Sequence, residues 1–150
     1  MSVVAVVRPD SWDLPLFLHV LGATVLFGGV AAVAIIGIAA RRAAVDRSPI
    51  LRRIAFRTLL FVVLPAFILN RVAAQWIVSK EYPHHEPDWV GVGYAVTEPG
   101  AVVLLALIVV AFLAMRRGRR GLTTAIPVLA GVYLAALAVA MFAMTAKPGG

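Results

Sequence analysis

The chain has 150 residues, of which 62% are hydrophobic and only 14% are charged, and its mean hydropathy is +0.96. A soluble domain of this size cannot bury so much apolar surface, so the composition excludes an ordinary soluble protein and indicates an integral membrane protein. The chain contains no cysteine, which excludes disulfides and thiolate chemistry.

The first predicted span covers residues 14–40. Asp13 can cap its start, and Pro15 suits the first helical turn. The apolar stretch is too long for the core of a signal peptide and no basic stretch precedes it, so we expect the span to be retained. It carries one ionisable residue near its start, His19, on a helical face shared with Gly22. Small residues on that face favour close helix packing and predict that His19 points inward.

The second predicted span covers residues 58–78 and follows an arginine-rich connection in which Ser48 marks a helix start. Pro65 removes one backbone donor, so we expect a kink there. Arg71 and Gln75 lie one turn apart on the same face of this otherwise apolar helix. Charged groups at membrane depth are costly, so Arg71 predicts a buried partner, an anionic ligand, or a side chain that reaches the headgroups.

A polar, non-periodic connection at residues 79–98 is the only long loop that the pattern predicts. It contains the adjacent histidines His84 and His85, whose imidazoles are competent metal ligands although their spacing is not an established metal site. The third and fourth spans are predicted at 97–115 and 122–146. Residues 1–150 are therefore expected to form a single transmembrane domain.

Basic residues are distributed unequally between the two sides of this predicted domain. The connections after the first and third spans carry ten arginines: Arg41, Arg42, Arg47, Arg52, Arg53, Arg57, Arg116, Arg117, Arg119 and Arg120. The opposite side has only Arg8, Lys80 and Lys147. Because cytoplasmic loops are rich in Lys and Arg, we expect an all-α, multi-pass bundle of four transmembrane helices with both termini on the outer side of the bacterial inner membrane. The arginines on the cytoplasmic side then account for the net charge of +7. A basic chain can also bind nucleic acid, but with this explanation no nucleic-acid partner is expected.

Four polar residues from three different spans are expected in the outer half of the membrane: His19, Arg71, Gln75 and Glu98. Counting along the helices places His19 about 7 Å and Arg71 about 10 Å below the outer surface. We expect His19 and Arg71 to face one interior cavity, with Glu98 or Gln75 bonded to the guanidinium. This polar cluster is the predicted ligand site.

The segment LFLHVLGATVLFGGV, residues 16–30, resembles a family of small four-helix bacterial integral membrane proteins that is catalogued only as a domain of unknown function. It is more loosely similar to the membrane domain of CopD-like copper-resistance proteins. The matching positions are His19, Gly22, Phe27, Gly28 and Gly29. The looser resemblance implies copper handling at the outer face, but this chain has no Met/His-rich outer region and no second histidine within a span.

Three kinds of function remain open from the sequence. The first is a membrane binding or accessory protein whose cluster holds a copper-like metal ion, with His19, His84 and His85 as ligands. The second is a redox protein with quinone or haem near His19 and Arg71, haem being disfavoured because no second span supplies a histidine. The third is a structural subunit, as a homo-oligomer or with other membrane subunits. An intramembrane enzyme has the least support, since HExxH, GxSxG and paired intramembrane carboxylates are absent.

Overall fold

The computed structural model describes residues 13–81 and 88–146, and nearly all of them are helical. The helices are α1 (Asp13–Arg42), α2 (Ser48–Thr58), α3 (Leu64–Glu81), α4 (Asp88–Arg117) and α5 (Arg120–Ala146). A π-helical turn, Leu59–Val63, joins α2 and α3 into one continuous helix. Four segments are long and apolar enough to cross a membrane: Asp13–Arg42, Ser48–Lys80, Gly93–Arg117 and Arg120–Ala143. The prediction of an all-helical chain with four segments of this kind is confirmed.

Part of the connection predicted at residues 79–98 is helical in the structure. Helix α3 continues to Glu81 and α4 begins at Asp88, so residues 79–81 and 88–98 belong to helices. Polarity marks where a helix leaves the apolar region, but it does not interrupt the backbone hydrogen bonds that define the helix. Pro99 therefore lies inside α4 rather than at its start. Two residues before this proline, the Thr97 hydroxyl donates to the carbonyl of Gly93 at 2.6 Å.

A π-helical turn directly precedes Pro65, where the sequence predicts a kink, and the kink itself stays a prediction. In this turn the backbone N–H of Leu64 donates to the carbonyl of Leu59, five residues earlier. An α-helical turn would press the proline ring against the carbonyl of Phe61, and a wider turn relieves that clash. The helix thereby continues past Pro65 without a break.

Helix α1 contacts α2, α3 and α5, while α4 contacts α2 and α5. The buried core between these helices is formed mainly by aliphatic side chains, together with the aromatic ring of Tyr133. Its most buried members include Val30, Val33, Leu59, Val63, Leu104, Leu107 and Ile126. The outward faces carry exposed apolar side chains along each span, as expected of helices that face lipid.

Glycines in α1 determine how closely its neighbours approach. A Cβ atom on Gly22 would lie 2.8 Å from the backbone nitrogen of Asn70 in α3. A Cβ on Gly37 would lie 2.9 Å from the Cδ of Pro127 in α5. Gly28 differs, because no atom lies within 4 Å of the position that its Cβ would take. Close packing therefore uses one stripe of α1, on which Gly22 makes the tightest approach to another backbone.

Nine of the ten arginines named above lie within about two turns of one end of the helices, which we call the arginine end, and Arg57 lies nine residues, about 14 Å, after the start of α2. Two local contacts order the connections there. The Ser48 hydroxyl donates to the carbonyl of Ala40 at 3.0 Å, which satisfies an acceptor at the end of α1. Gly118 ends α4 with a φ of 64°, and its N–H donates to the carbonyl of Ala114 at 3.0 Å. This left-handed conformation is the one that favours glycine at a helix C-terminus.

The packing of α1 on α3 predicts opposite results for two glycine substitutions. Gly22→Ala should lower the free energy of unfolding by about 1–3 kcal/mol, because the new methyl group overlaps backbone atoms of Asn70. Gly28→Ala should be neutral or stabilising by up to about 1 kcal/mol, because alanine favours the helix and meets no neighbour. Unfolding by SDS in mixed micelles measures both. Equal effects of the two substitutions would contradict the close approach at Gly22.

Candidate functional site

A layer of polar side chains crosses the helices in the half opposite the arginine end. We call it the polar layer and define it as His19, Asn70, Arg71, Gln75 and Tyr94. His19 lies six residues after the start of α1, about 9 Å along the helix axis. Arg71 lies ten residues before the end of α3, about 15 Å along the axis. These polar groups are therefore within candidate membrane spans, where each needs a partner.

His19 is paired with Asn70 across the contact between α1 and α3. The Asn70 side-chain amide donates to the backbone carbonyl of His19 at 3.0 Å. The same amide nitrogen lies 3.2 Å from Nδ1 of His19, and Nδ1 lies 3.3 Å from the backbone carbonyl of Asn70. Gly22 lies one turn further along α1, and because it has no side chain the backbone of Asn70 can lie close to α1. This short distance allows the bonds between His19 and Asn70.

The pairing leaves one nitrogen of the His19 ring for another partner. Nδ1 either accepts from the Asn70 amide or donates to the Asn70 carbonyl, depending on the tautomer. In both cases Nδ1 is engaged, and Nε2 makes no hydrogen bond with the residues that the structure describes. A histidine whose first nitrogen is held in this way presents the second one in a defined direction.

Arg71 is held by an aromatic ring from α4. Its guanidinium carbon lies 4.8 Å from the centroid of the Tyr94 ring, which is the geometry of a cation–π contact. The Tyr94 hydroxyl donates to Oε1 of Gln75 at 3.1 Å, so the ring is itself anchored to α3. The result is a network of a guanidinium, a ring and an amide that links α3 to α4.

The predicted cluster is thus divided between two helix interfaces. Asn70 and Arg71 are consecutive residues and project about 100° apart around α3, one toward α1 and the other toward α4. The sequence predicts that Glu98 or Gln75 bonds Arg71; among the described residues Arg71 bonds neither of them directly, and Glu98 is exposed. Gln75 meets Arg71 only indirectly, through Tyr94.

Two members of the polar layer, Asn70 and Tyr94, were missing from the predicted site. Asn70 is adjacent to Arg71 within an apolar span, and that polar interruption was the available signal. Tyr94 lies one turn before Glu98, so a helix beginning at Asp88 puts both on one face. The prediction of a loop over residues 79–98 concealed this relation.

The predicted metal ligands can be located only in part. His19 lies in α1, whereas His84 and His85 lie outside the described residues. Within residues 13–81 and 88–146, no three His, Cys, Asp or Glu residues are grouped closely enough to hold a metal ion.

Comparisons of the chain with known proteins assign no family to it. No protein-family model, no curated protein and no solved structure matches the chain. The interpretation of the site therefore depends on its own geometry and chemistry.

The His19–Asn70 pair predicts a measurable energetic coupling. In a double-mutant cycle with His19→Ala and Asn70→Ala, the coupling free energy should be about 0.6–1.7 kcal/mol, as for other hydrogen bonds between membrane helices. It reports the contact between the Asn70 amide and Nδ1 of His19, since the other bonds of the pair involve backbone carbonyls that the alanine variants retain. Arg71→Ala and Glu98→Ala form the control cycle, because these side chains are not bonded to each other, and their effects should add within about 0.5 kcal/mol. SDS unfolding measures both cycles. A larger coupling in the control cycle would contradict this description of the polar layer.

Proposed function

We propose that this chain is a four-helix bundle in the bacterial inner membrane, with both termini and residues 82–87 on the outer side. The proposal is supported by the nine arginines at one end of four candidate spans, since cytoplasmic connections are rich in arginine. The polar layer then lies in the outer half of the membrane, nearer the outer surface than the cytoplasm.

The proposed function is binding of a small, lipid-soluble molecule through an oxygen acceptor, with the protein acting as a binding or accessory protein. Arg71 carries this proposal. Its guanidinium is stacked on Tyr94 and forms no hydrogen bond with the residues that the structure describes. A guanidinium has five N–H donors and no acceptor, so its natural partners are carbonyl, carboxylate and phosphate oxygens.

The surroundings of Arg71 favour a ligand that is apolar apart from such an oxygen. The neighbouring side chains Ile68 and Val72 are 53% and 59% exposed, so the guanidinium lies beside an apolar helix surface. Tyr94 restrains the guanidinium, and Gln75 restrains Tyr94, which reduces the conformational entropy that binding would cost. A quinone has this combination of carbonyl oxygens and an apolar body, and it is the ligand class that we propose.

A metal ion is the second candidate ligand, and His19 is the observation that favours it. Metal-ligating histidines commonly have their other ring nitrogen held by a hydrogen bond, as Asn70 holds Nδ1 here. His84 and His85 are the further ligands proposed for such a site. The resemblance of residues 16–30 to CopD-like proteins supports copper as the metal to test.

The proposed orientation predicts which introduced cysteines react from outside the cell. The chain has no natural cysteine, so single substitutions report without background. Val45, which is 92% exposed between α1 and α2, is the probe for the arginine end, and the exposed Gly91 is the probe for the opposite end. An impermeant maleimide added to intact cells should label Gly91→Cys and should label Val45→Cys only after lysis. The reverse pattern would overturn the orientation.

The proposed quinone site predicts that binding depends on the shape of the Arg71 side chain and not only on its charge. Decylubiquinone should bind the purified protein about tenfold more weakly after Arg71→Lys, because lysine cannot form the paired hydrogen bonds of a guanidinium. The matched control is Arg53→Lys, an exposed position at the arginine end, which should leave the dissociation constant unchanged. Isothermal titration in detergent measures the three dissociation constants.

Equal quinone binding by the wild type and the Arg71→Lys variant would contradict the quinone proposal. Elemental analysis of the same preparations tests the metal candidate: copper that is retained by the wild type and lost after His19→Ala would favour it. A protein that retains neither ligand but copurifies with other membrane proteins would favour a structural subunit.

A further inference from the structure

A pocket of about 380 Å³ lies at the arginine end, remote from the polar layer. It is formed where the end of α1, the start of α2, the end of α4 and the start of α5 come together. Three arginines from three helices line it, namely Arg41, Arg52 and Arg120. The hydroxyl-bearing residues Ser48 and Thr123 also line the pocket, and none of its lining residues is acidic.

Arg52 differs from a solvent-exposed arginine that only sets membrane orientation. Its side chain is half-buried and crosses from α2 to the connection between α4 and α5, where Nη1 donates to the carbonyl of Gly118 at 3.3 Å. Its Nε is buried and has no hydrogen-bond partner among the described residues. Within the described residues, one Nη1 bond to Gly118 is the only hydrogen bond of the Arg52 guanidinium, which has five N–H donors, and this leaves donors of a pocket-lining side chain for an acceptor group.

The helix ends add positive potential to the same pocket. Helices α2 and α5 both begin here, and neither has an acidic residue in its first turn. The N-terminus of a helix carries a partial positive charge, so arginines beside it are placed against the helix dipole. Arg120 begins α5, and Arg52 lies in the second turn of α2. An anion in the pocket would offset both the helix dipoles and the guanidinium charges.

We infer that this pocket binds a phosphate group, and that the phosphate is the headgroup of an anionic phospholipid. Guanidinium groups pair with phosphate oxygens through two parallel hydrogen bonds. The pocket lies at the ends of the candidate spans, which is the depth of lipid headgroups, and Ala40, Ala43 and Val45 give it an apolar wall. Basic pockets between membrane helices are suited to this class of lipid. This site is independent of the proposed quinone site, because the two share no residue.

The test compares two variants that remove the same number of charges from the arginine end. Arg41→Gln with Arg120→Gln alters the pocket through two exposed side chains that have no hydrogen bond to other described residues, so the fold should be preserved. Arg53→Gln with Arg117→Gln is the control, since both side chains are exposed and neither lines the pocket. Thermal unfolding without added lipid verifies that both variants are folded.

Native mass spectrometry of the protein, titrated with phosphatidylglycerol, measures lipid binding to each variant. The pocket variant should bind at least about tenfold more weakly than the wild type, and the control variant should change less than about threefold, since charges outside the pocket act only through the surface potential. Phosphatidylethanolamine, which has no net charge, should bind the wild type more weakly than phosphatidylglycerol does.

Each outcome decides the inference. Equal weakening of phosphatidylglycerol binding in the two variants would overturn the pocket as a phosphate site. Equally tight binding of phosphatidylethanolamine, whose phosphate is balanced by an ammonium group, would overturn an anionic phospholipid as its occupant. Inorganic phosphate is the second arm of the experiment. If millimolar phosphate displaces the lipid from the wild type and binds more tightly than the lipid, the phosphate site is supported and its ligand is the free ion. If phosphate does not displace the lipid, the ligand is the headgroup.

Discussion

The close approach of α1 to α3 at Gly22 is the contact on which the polar layer depends. In a membrane, apolar side chains gain little from leaving lipid for another helix, so helices associate mainly through close packing and a few polar bonds. Gly22 permits close packing because it has no side chain, and Asn70 provides the polar bonds because it reaches His19 at the resulting distance. A larger residue at position 22 would separate the backbones and also lengthen the His19–Asn70 bonds.

The polar layer has two parts, the His19–Asn70 pair and the Arg71–Tyr94 contact, and their polar groups are stabilised by different interactions. His19 and Asn70 satisfy each other, so their bonds stabilise the fold without exposing more than one ring nitrogen. Arg71 is stabilised by the face of the Tyr94 ring, which offsets part of the guanidinium charge. The ring face is not a conventional hydrogen-bond acceptor, so this contact leaves the N–H donors of Arg71 unused. The first arrangement is chiefly structural. The second positions a charged donor while leaving it able to bind a ligand.

The sequence predicts the number of helices well because hydropathy is a property of each segment by itself. It predicts helix ends less well, since α3 continues to Glu81 and α4 begins at Asp88, both within the predicted connection. The site was predicted only in part. Arg71 is conspicuous in an apolar span, but its partner depends on how α3 and α4 are rotated, and a linear pattern does not contain that rotation. The two glycines of α1 are equally hard to tell apart from the sequence, because Gly22 faces the backbone of another helix whereas Gly28 faces open space.

The π-helical turn at Leu59–Val63 has a consequence for the direction in which α3 presents its side chains. A residue added to a helix turns everything after it by about 100°, and a π turn contains one more residue than an α turn. The turn therefore sets the angular phase of Asn70 and Arg71 relative to α2, although it lies two to three helical turns away from them. A chain that lacked one residue of this turn but was otherwise identical would keep nearly the same hydropathy profile, while its polar residues would rotate toward other neighbours. The length of this one turn thus determines which faces of the second candidate span meet α1 and α4.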